Sequence, residues 1–322
     1  MAKSRALEDT LAALHQLRDA PSSERTLAEL RKALGAKSSH VVAKAAQIAG
    51  ELEIGALTPD LVTAFDRLMA LPAKADPGCR AKAHIADALY RIGHDDERVF
   101  LRGIRHVQME PVYGGKIDTA LELRGACALG LVRMGYPEVL TELADLLADP
   151  EASVRGAAAR AIAYSENDRG VPLLRLKVLI GDDDPQVTSE CLTALLRLAP
   201  ATSVPFVARL LDAEQATVGE LAALALGGSR LPEAFGALRQ WWERTTQPDL
   251  RRTALLAIAM LKHDQAIDFL LSLIADAPGP TARDAIKALG LYRHDDALRQ
   301  RVCAVAKERV GADLSTAIAE AF

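Results

Sequence analysis

Apolar residues recur along the whole chain at helical spacing, and the pattern is copied. In residues 149–165, DPEASVRGAAARAIAYS, Val154, Ala158, Ala159, Ala161 and Ile162 fall on one face of a helix. Arg155, Arg160 and Tyr164 fall near the edges of that face or on the opposite side. Asp149 is placed to cap the helix, and Pro150 suits its first turn, where a missing N–H costs nothing. A face built of alanine lets a neighbouring helix come close, so this stretch is predicted to be the inner helix of a stacked helical hairpin.

Taking Val154 as an anchor followed by small residues four and five places on, equivalent anchors fall at Val41, Ala81, Leu123, Val187, Val218, Leu250 and Thr281. From Leu123 onward they recur every 31 to 33 residues, and the first two intervals are 40 and 42. A truncated ninth copy starts near Leu314. Another apolar-periodic segment precedes each anchor helix, as in residues 137–148, 171–180, 204–211 and 267–274, so the unit is helix–turn–helix.

Three sets of residues carry a resemblance to a known family: Asp149-Pro150 with Val154-Arg155, Asp184-Pro185 with Val187, and the run Ala222, Ala223, Ala225, Leu226. The pattern resembles the HEAT repeat family, above all its short bacterial form, often named after the phycobilisome lyases. That resemblance implies an all-α, right-handed α-solenoid of eight to nine hairpins, running as one array over residues 1–322, with the second helices lining a concave face. Residues 1–21 are expected to form a capping helix, with Leu7, Leu11, Leu14 and Leu17 inward and Pro21 ending it. Residues 295–322 are expected to close the other end through Ile318, Ala319 and Phe322. Within the third repeat, residues 107–118 break the helical period with a proline and a glycine pair, and are predicted to be an inserted loop. Insertions in solenoids cluster on one rim and form binding surfaces, which makes Met109, Glu110, Tyr113 and Lys116 candidates; a tolerated surface loop is the plainer reading.

Half of the residues are apolar and a quarter charged, which fits a folded protein with ample core, and the 4% of aromatics with no alternating runs fits an all-helical one. The formal net charge of −4 gives no overall attraction for nucleic acid, leaving a local basic groove as the route for that activity. Cys79, Cys127, Cys191 and Cys303 lack CxxC spacing and are expected as buried thiols of a reducing compartment, Cys127 and Cys191 occupying the same small apolar slot in their repeats. No apolar run reaches membrane-spanning length and the amino-terminal stretch is too charged for a signal core, so the expected location is the cytoplasm, with no membrane partner.

Candidate chemistry is sparse, and no catalytic, cofactor or metal residue is expected. The turns His94-Asp95-Asp96, His263-Asp264 and His294-Asp295-Asp296 hold good ligand types, but successive repeats stand roughly 10 Å or more apart, too far to share an ion. They are read as helix caps, with aspartate capping the following helix. The HEAT-like deoxyhypusine hydroxylases would require His-Glu dipeptides, and the sequence has none. There is no GxSxG elbow, Gly114-Gly115-Lys116 lacks the rest of a phosphate loop, and Cys79 with His84 has no third partner. Trp241 and Trp242 point about 100° apart on a helix, so one is expected in the core and the other at its edge.

The most specific surface feature is a column of cations on the second helices. Lys82, Arg124 and Arg155 lie one residue after their anchors, Arg91, Arg133, Tyr164 and Arg197 lie ten after, and Arg160 lies between. These residues are expected on the concave face, where they either serve helix ends and turn aspartates or recognise a protein partner with an acidic surface. Leu224 and Leu256 fill the Arg160 slot in later repeats, so the face turns apolar along its length. The expected function is a non-catalytic protein-binding scaffold. The alternatives are a lyase or lyase-like chaperone for a tetrapyrrole-bearing protein, implied by the resemblance alone, and nucleic-acid binding through the basic column.

Overall fold

A computed structural model describes residues 2–17, 23–309 and 314–322. The chain divides into two compact units, Met1–Glu166 and Asn167–Phe322. The first opens with helix α1 (Ala2–Gln16) and continues with four hairpins: α2 (Glu24–Leu34) with α3 (Ser39–Glu51), α4 (Thr58–Met69) with α5 (Arg80–Ile92), α6 (Glu97–Ile104) with α7 (Leu121–Arg133), and α8 (Val139–Leu147) with α9 (Ala152–Tyr164). Second helices pack on second helices, α3 on α5, α5 on α7 and α7 on α9, while each first helix packs on its own partner. The small residues explain the close stacking. Ala45, Ala46, Ala86, Ala88, Cys127, Ala128, Ala158, Ala159 and Ala161 are all fully buried, and the larger Phe65 and Phe100 fill the space beneath the first helices.

The second unit repeats the arrangement with α10 (Val171–Ile180) and α11 (Pro185–Leu198), α12 (Pro200–Arg209) and α13 (Ala216–Ser229), α14 (Ala234–Arg244) and α15 (Pro248–Met260), and α16 (Asp264–Asp276) and α17 (Gly279–Leu289). A shortened ninth hairpin, α18 (Asp296–Glu308) and α19 (Ser315–Ala321), follows, with α19 against α17. Gly227 shows how tightly these helices approach. A Cβ there would stand 2.8 Å from the Cα of Ala257 and overlap its carbonyl oxygen, so only hydrogen fits between α13 and α15. No helix among the described residues is long and apolar enough to cross a membrane.

The repeat pattern therefore becomes an all-α solenoid of stacked hairpins, with several local differences from expectation. Leu14 is buried as the capping-helix pattern requires, but the side chain of Leu7 and the stop at Pro21 lie outside what is described. In the His-Asp turns, Asp96 and Asp295 do cap α6 and α18, accepting the amides of Arg98 (3.0 Å) and Leu298 (2.9 Å). At α16 the histidine itself is the cap: Nδ1 of His263 accepts the amide of Ala266 at 3.2 Å. The largest difference is at residues 107–118, which form a β-hairpin rather than an irregular loop: β1 (Met109–Val112) runs antiparallel to β2 (Gly115–Asp118).

Candidate functional site

Four residues per strand leave little room for an alternating signature, and the hairpin owes its shape to its turn and its base. The turn is Tyr113-Gly114, with Gly114 at φ 88°, a conformation glycine adopts without strain. In a two-residue hairpin the residues flanking the turn, here Val112 and Gly115, form a hydrogen-bonded pair. The next pair, Pro111 and Lys116, therefore turns its backbone groups outward. Proline offers no N–H and lysine brings a charge, so both outer edges are poor templates for another strand.

At its base the hairpin is fastened by a buried polar network. Oε1 of Glu110 accepts three hydrogen bonds, from the amide of Gly78 (2.7 Å), Nε2 of Gln108 (2.7 Å) and Oγ1 of Thr119 (2.8 Å). Gln108 also donates to the carbonyl of Asp76 at 2.8 Å. The Asp76 carboxylate accepts the first amides of α5, from Ala81 (3.0 Å) and Lys82 (3.1 Å), and lies 3.5 Å from Nζ of Lys82. On the other strand Asp118 accepts the amides of Gln108 and Ala120, each at 2.9 Å, and receives Nη1 of Arg124 at 2.6 Å. Arg124 donates as well to the carbonyl of His106 (2.9 Å), and its Nε lies 3.1 Å from Asp149. One network thus joins the start of α5, both strands, the start of α7 and the turn before α9.

The burial of these groups sets their protonation. Burial alone would raise the Glu110 carboxyl, but the donors from Gln108, Thr119 and Gly78 and the charge of Lys82 outweigh it and hold it below its ordinary 4.5. Burial likewise opposes the charge on Asp118, and the Ala120 and Gln108 amides with Arg124 hold it below 3.8. Burial, then the nearby charge of Lys82, keeps His106 below 6.5, and its Nε2 is buried with no hydrogen-bond partner. Each of these groups binds its proton more weakly folded than unfolded, so its stabilisation is complete above the ordinary value and is lost as the pH falls. The melting temperature of the first unit is expected to decline gently below about pH 6.5, as His106 begins to titrate in the unfolded chain, and steeply below about pH 4.5. A melting temperature flat from pH 7 to 4 would contradict this. The same burial pushes the Cys79 thiol up to about 12 and so keeps it protonated and unreactive.

The structure redistributes the expected cation column. Lys82 and Arg124 are 1% and 2% exposed, so neither is presented to a partner; the inserted hairpin covers the starts of α5 and α7, and buried cations there need the carboxylates they meet. Arg91 pairs with Asp87 at 2.7 Å. Arg133 donates to the carbonyls of Tyr90 (2.7 Å) and Arg91 (2.8 Å) at the end of α5, and Arg155 to those of Asp149 and Pro150, each at 2.9 Å. These contacts take away most of the open row of cations that recognition of an acidic partner, or of nucleic acid, would use. Arg160 is exposed on α9, at the rim of a groove of about 430 Å³ floored by Ala83, Gly125 and Ala157 and flanked by His84, Asp87 and Glu122. Tyr164 is half exposed at the end of α9. In the second unit Arg197 lines a separate groove with Leu196, Leu224 and Met260. Trp241 is in the core, and Trp242 lies at its edge, with its ring against Phe269 and beneath Arg251.

Of the inserted-loop candidates, Glu110 proves to be an anchor, turned inward. Met109, Tyr113 and Lys116 are exposed, and Val107, Val112 and Ile117 join them, leaving a run of apolar side chains in solvent with Tyr113 fully exposed at the tip. Asp76, Gln108, Asp118 and Thr119 were not legible as functional residues. Their one signal is position, since three of them flank the insertion at its two ends.

Residues 220–290, spanning α13 to α17, match the family described as HEAT repeats. The match lies within the second unit and covers that segment alone. Among solved structures, the chain is similar to the complex of CpcE and CpcF of phycocyanin lyase from Nostoc sp. PCC7120, with 18% identity, 70% of this chain and 88% of that chain covered, and a TM-score of 0.36. It is also similar to human deoxyhypusine hydroxylase in complex with glycerol, with 18% identity, 79% and 90% coverage and a TM-score of 0.32. An engineered protein matches with 17% identity, 97% and 92% coverage and a TM-score of 0.34. No curated protein matches the chain.

Proposed function

We propose that this HEAT-repeat chain is a non-catalytic scaffold that binds another protein, and that the hairpin of the first unit is its contact element. One observation carries the reading: the hairpin holds Val107, Met109, Val112, Tyr113 and Ile117 in solvent while a buried polar network fixes it from beneath. A loop that is merely tolerated needs neither feature. Apolar side chains gathered on one exposed element mark an interaction surface, and an element ordered before binding loses little entropy on association. With both strand edges blunted, recognition runs through side chains, led by Tyr113. The groove on α5, α7 and α9, with Arg160 at its rim, supplies a second surface in the same unit.

Site-directed photo-crosslinking tests this in the organism's own cells. A photoreactive phenylalanine at position 113 should capture a discrete protein, and one at position 157 in the groove should capture it less or not at all. With the purified partner, Tyr113→Asp should weaken binding by about 2 kcal/mol, roughly thirtyfold. Capture from position 157 with none from 113 would move the contact to the groove, and capture from neither would overturn the scaffold reading.

A further inference from the structure

We infer that the partner of the hairpin is a second copy of this chain, which offers the outer face of α10. The inference rests on the reading of the hairpin as a contact element and names its occupant. Helix α10, VPLLRLKVLI, buries Leu174 and Val178 against its own unit, which uses up one face. Leu176, Leu179 and Ile180 stand at i, i+3 and i+4 on another face, 57%, 67% and 69% exposed. An outer helix of a stacked hairpin ordinarily turns polar residues to water, and one that is apolar on two faces wants cover on both. The five side chains at the hairpin and the three on α10 make up eight of the twelve large apolar residues exposed among the described residues, so the two patches are the main uncovered apolar surface of the chain.

Charge indicates how they are covered. Near α10, Lys177 is tied to Asp182 at 2.8 Å, the half-buried Arg175 is stacked on the Phe206 ring at 4.3 Å, and Asp184 caps α11, which leaves Asp183 exposed and without an ion pair. On the hairpin, Glu110 and Asp118 are turned into the network, which leaves Lys116 exposed and without an ion pair. The exposed charge left over is therefore a cation on the hairpin and an anion beside α10. Pairing like with like would set Lys116 against Lys116 or Asp183 against Asp183; pairing hairpin with α10 sets lysine against aspartate. The contact is therefore heterologous, hairpin to α10 face, and successive copies assemble head to tail.

Complementation between two surface variants tests this. Tyr113→Asp disables the hairpin and keeps the α10 face; Ile180→Asp does the reverse. Both sites are exposed, and circular dichroism checks that each variant is folded. By sedimentation velocity over a hundredfold concentration range, the wild type should form growing species, and each variant alone should remain at the monomer mass of 34.5 kDa. Mixed together, they should form a 1:1 dimer and nothing larger, because each supplies the surface the other lacks. A second pair, Lys116→Glu with Asp183→Lys, should associate when combined in one chain and at least tenfold more weakly when separate. A wild type that stays monomeric throughout, or variants that fail to complement, would overturn the inference. Continued association of Ile180→Asp alone would also overturn it, in favour of hairpin-to-hairpin pairing. A monomeric wild type whose position 113 still crosslinks a different protein would leave the scaffold reading standing and remove only this one.

Discussion

Replacing Arg124 by methionine should lower the stability of the first unit by about 3–5 kcal/mol, the usual cost of removing one member of a buried ionic cluster. Methionine fills much of the volume but leaves Asp118 and Asp149 without their guanidinium and the His106 carbonyl without its donor. The comparison is Arg91→Met, which breaks only the exposed pair with Asp87 and should cost no more than about 1 kcal/mol. Both tryptophans, Trp241 and Trp242, lie in the second unit, so their fluorescence does not read the first unit directly. Hydrogen exchange of peptides from residues 80–133 should show the loss. Similar small costs for the two variants would mean that the network does not bear on stability.

Phe100→Ala should be comparably damaging, at about 3–5 kcal/mol, because it removes a fully buried ring from between α6 and α7. That ring lies directly over Gly130: a Cβ there would overlap the ring edge and stand 2.7 Å from its Cζ. Gly130→Ala alone should therefore cost about 1–3 kcal/mol by overpacking. In the Phe100→Ala background the same change should cost far less, since the added methyl enters the space the ring has left. Urea denaturation of the two single variants and the double variant gives the coupling directly. Additive costs would show that the ring and the glycine do not share one packing site.

The difference between Lys82 or Arg124 and Arg155 shows what could and could not be read from the chain. All three lie one residue after an anchor, and periodicity assigns them one environment. Arg155, in a repeat without an insertion, remains partly exposed and serves loop carbonyls. Lys82 and Arg124 are buried because the hairpin lies over the starts of their helices, and that contact joins residues about thirty positions apart in sequence. Alanine spacing reports helix-on-helix packing because the partner is another copy of the same pattern, so the eight anchors and the truncated ninth hairpin were legible. Two strands of four residues, one containing Pro111, carry too short an alternation to be seen. Glu110 looks like any surface glutamate until its three donors are in place, all of them from residues outside its own strand.

The central claim is that the hairpin is a prefastened element and not a loose insertion, and amide hydrogen exchange across residues 107–119 of the intact protein tests it most directly. In the wild type the inward amides of this segment should exchange at least a hundredfold more slowly than an unstructured chain. Glu110→Gln, which keeps the shape but removes the charge that accepts three hydrogen bonds, should speed them by at least tenfold while α13 to α17 stay unchanged. Wild-type amides exchanging at the rate of an open loop would contradict the account.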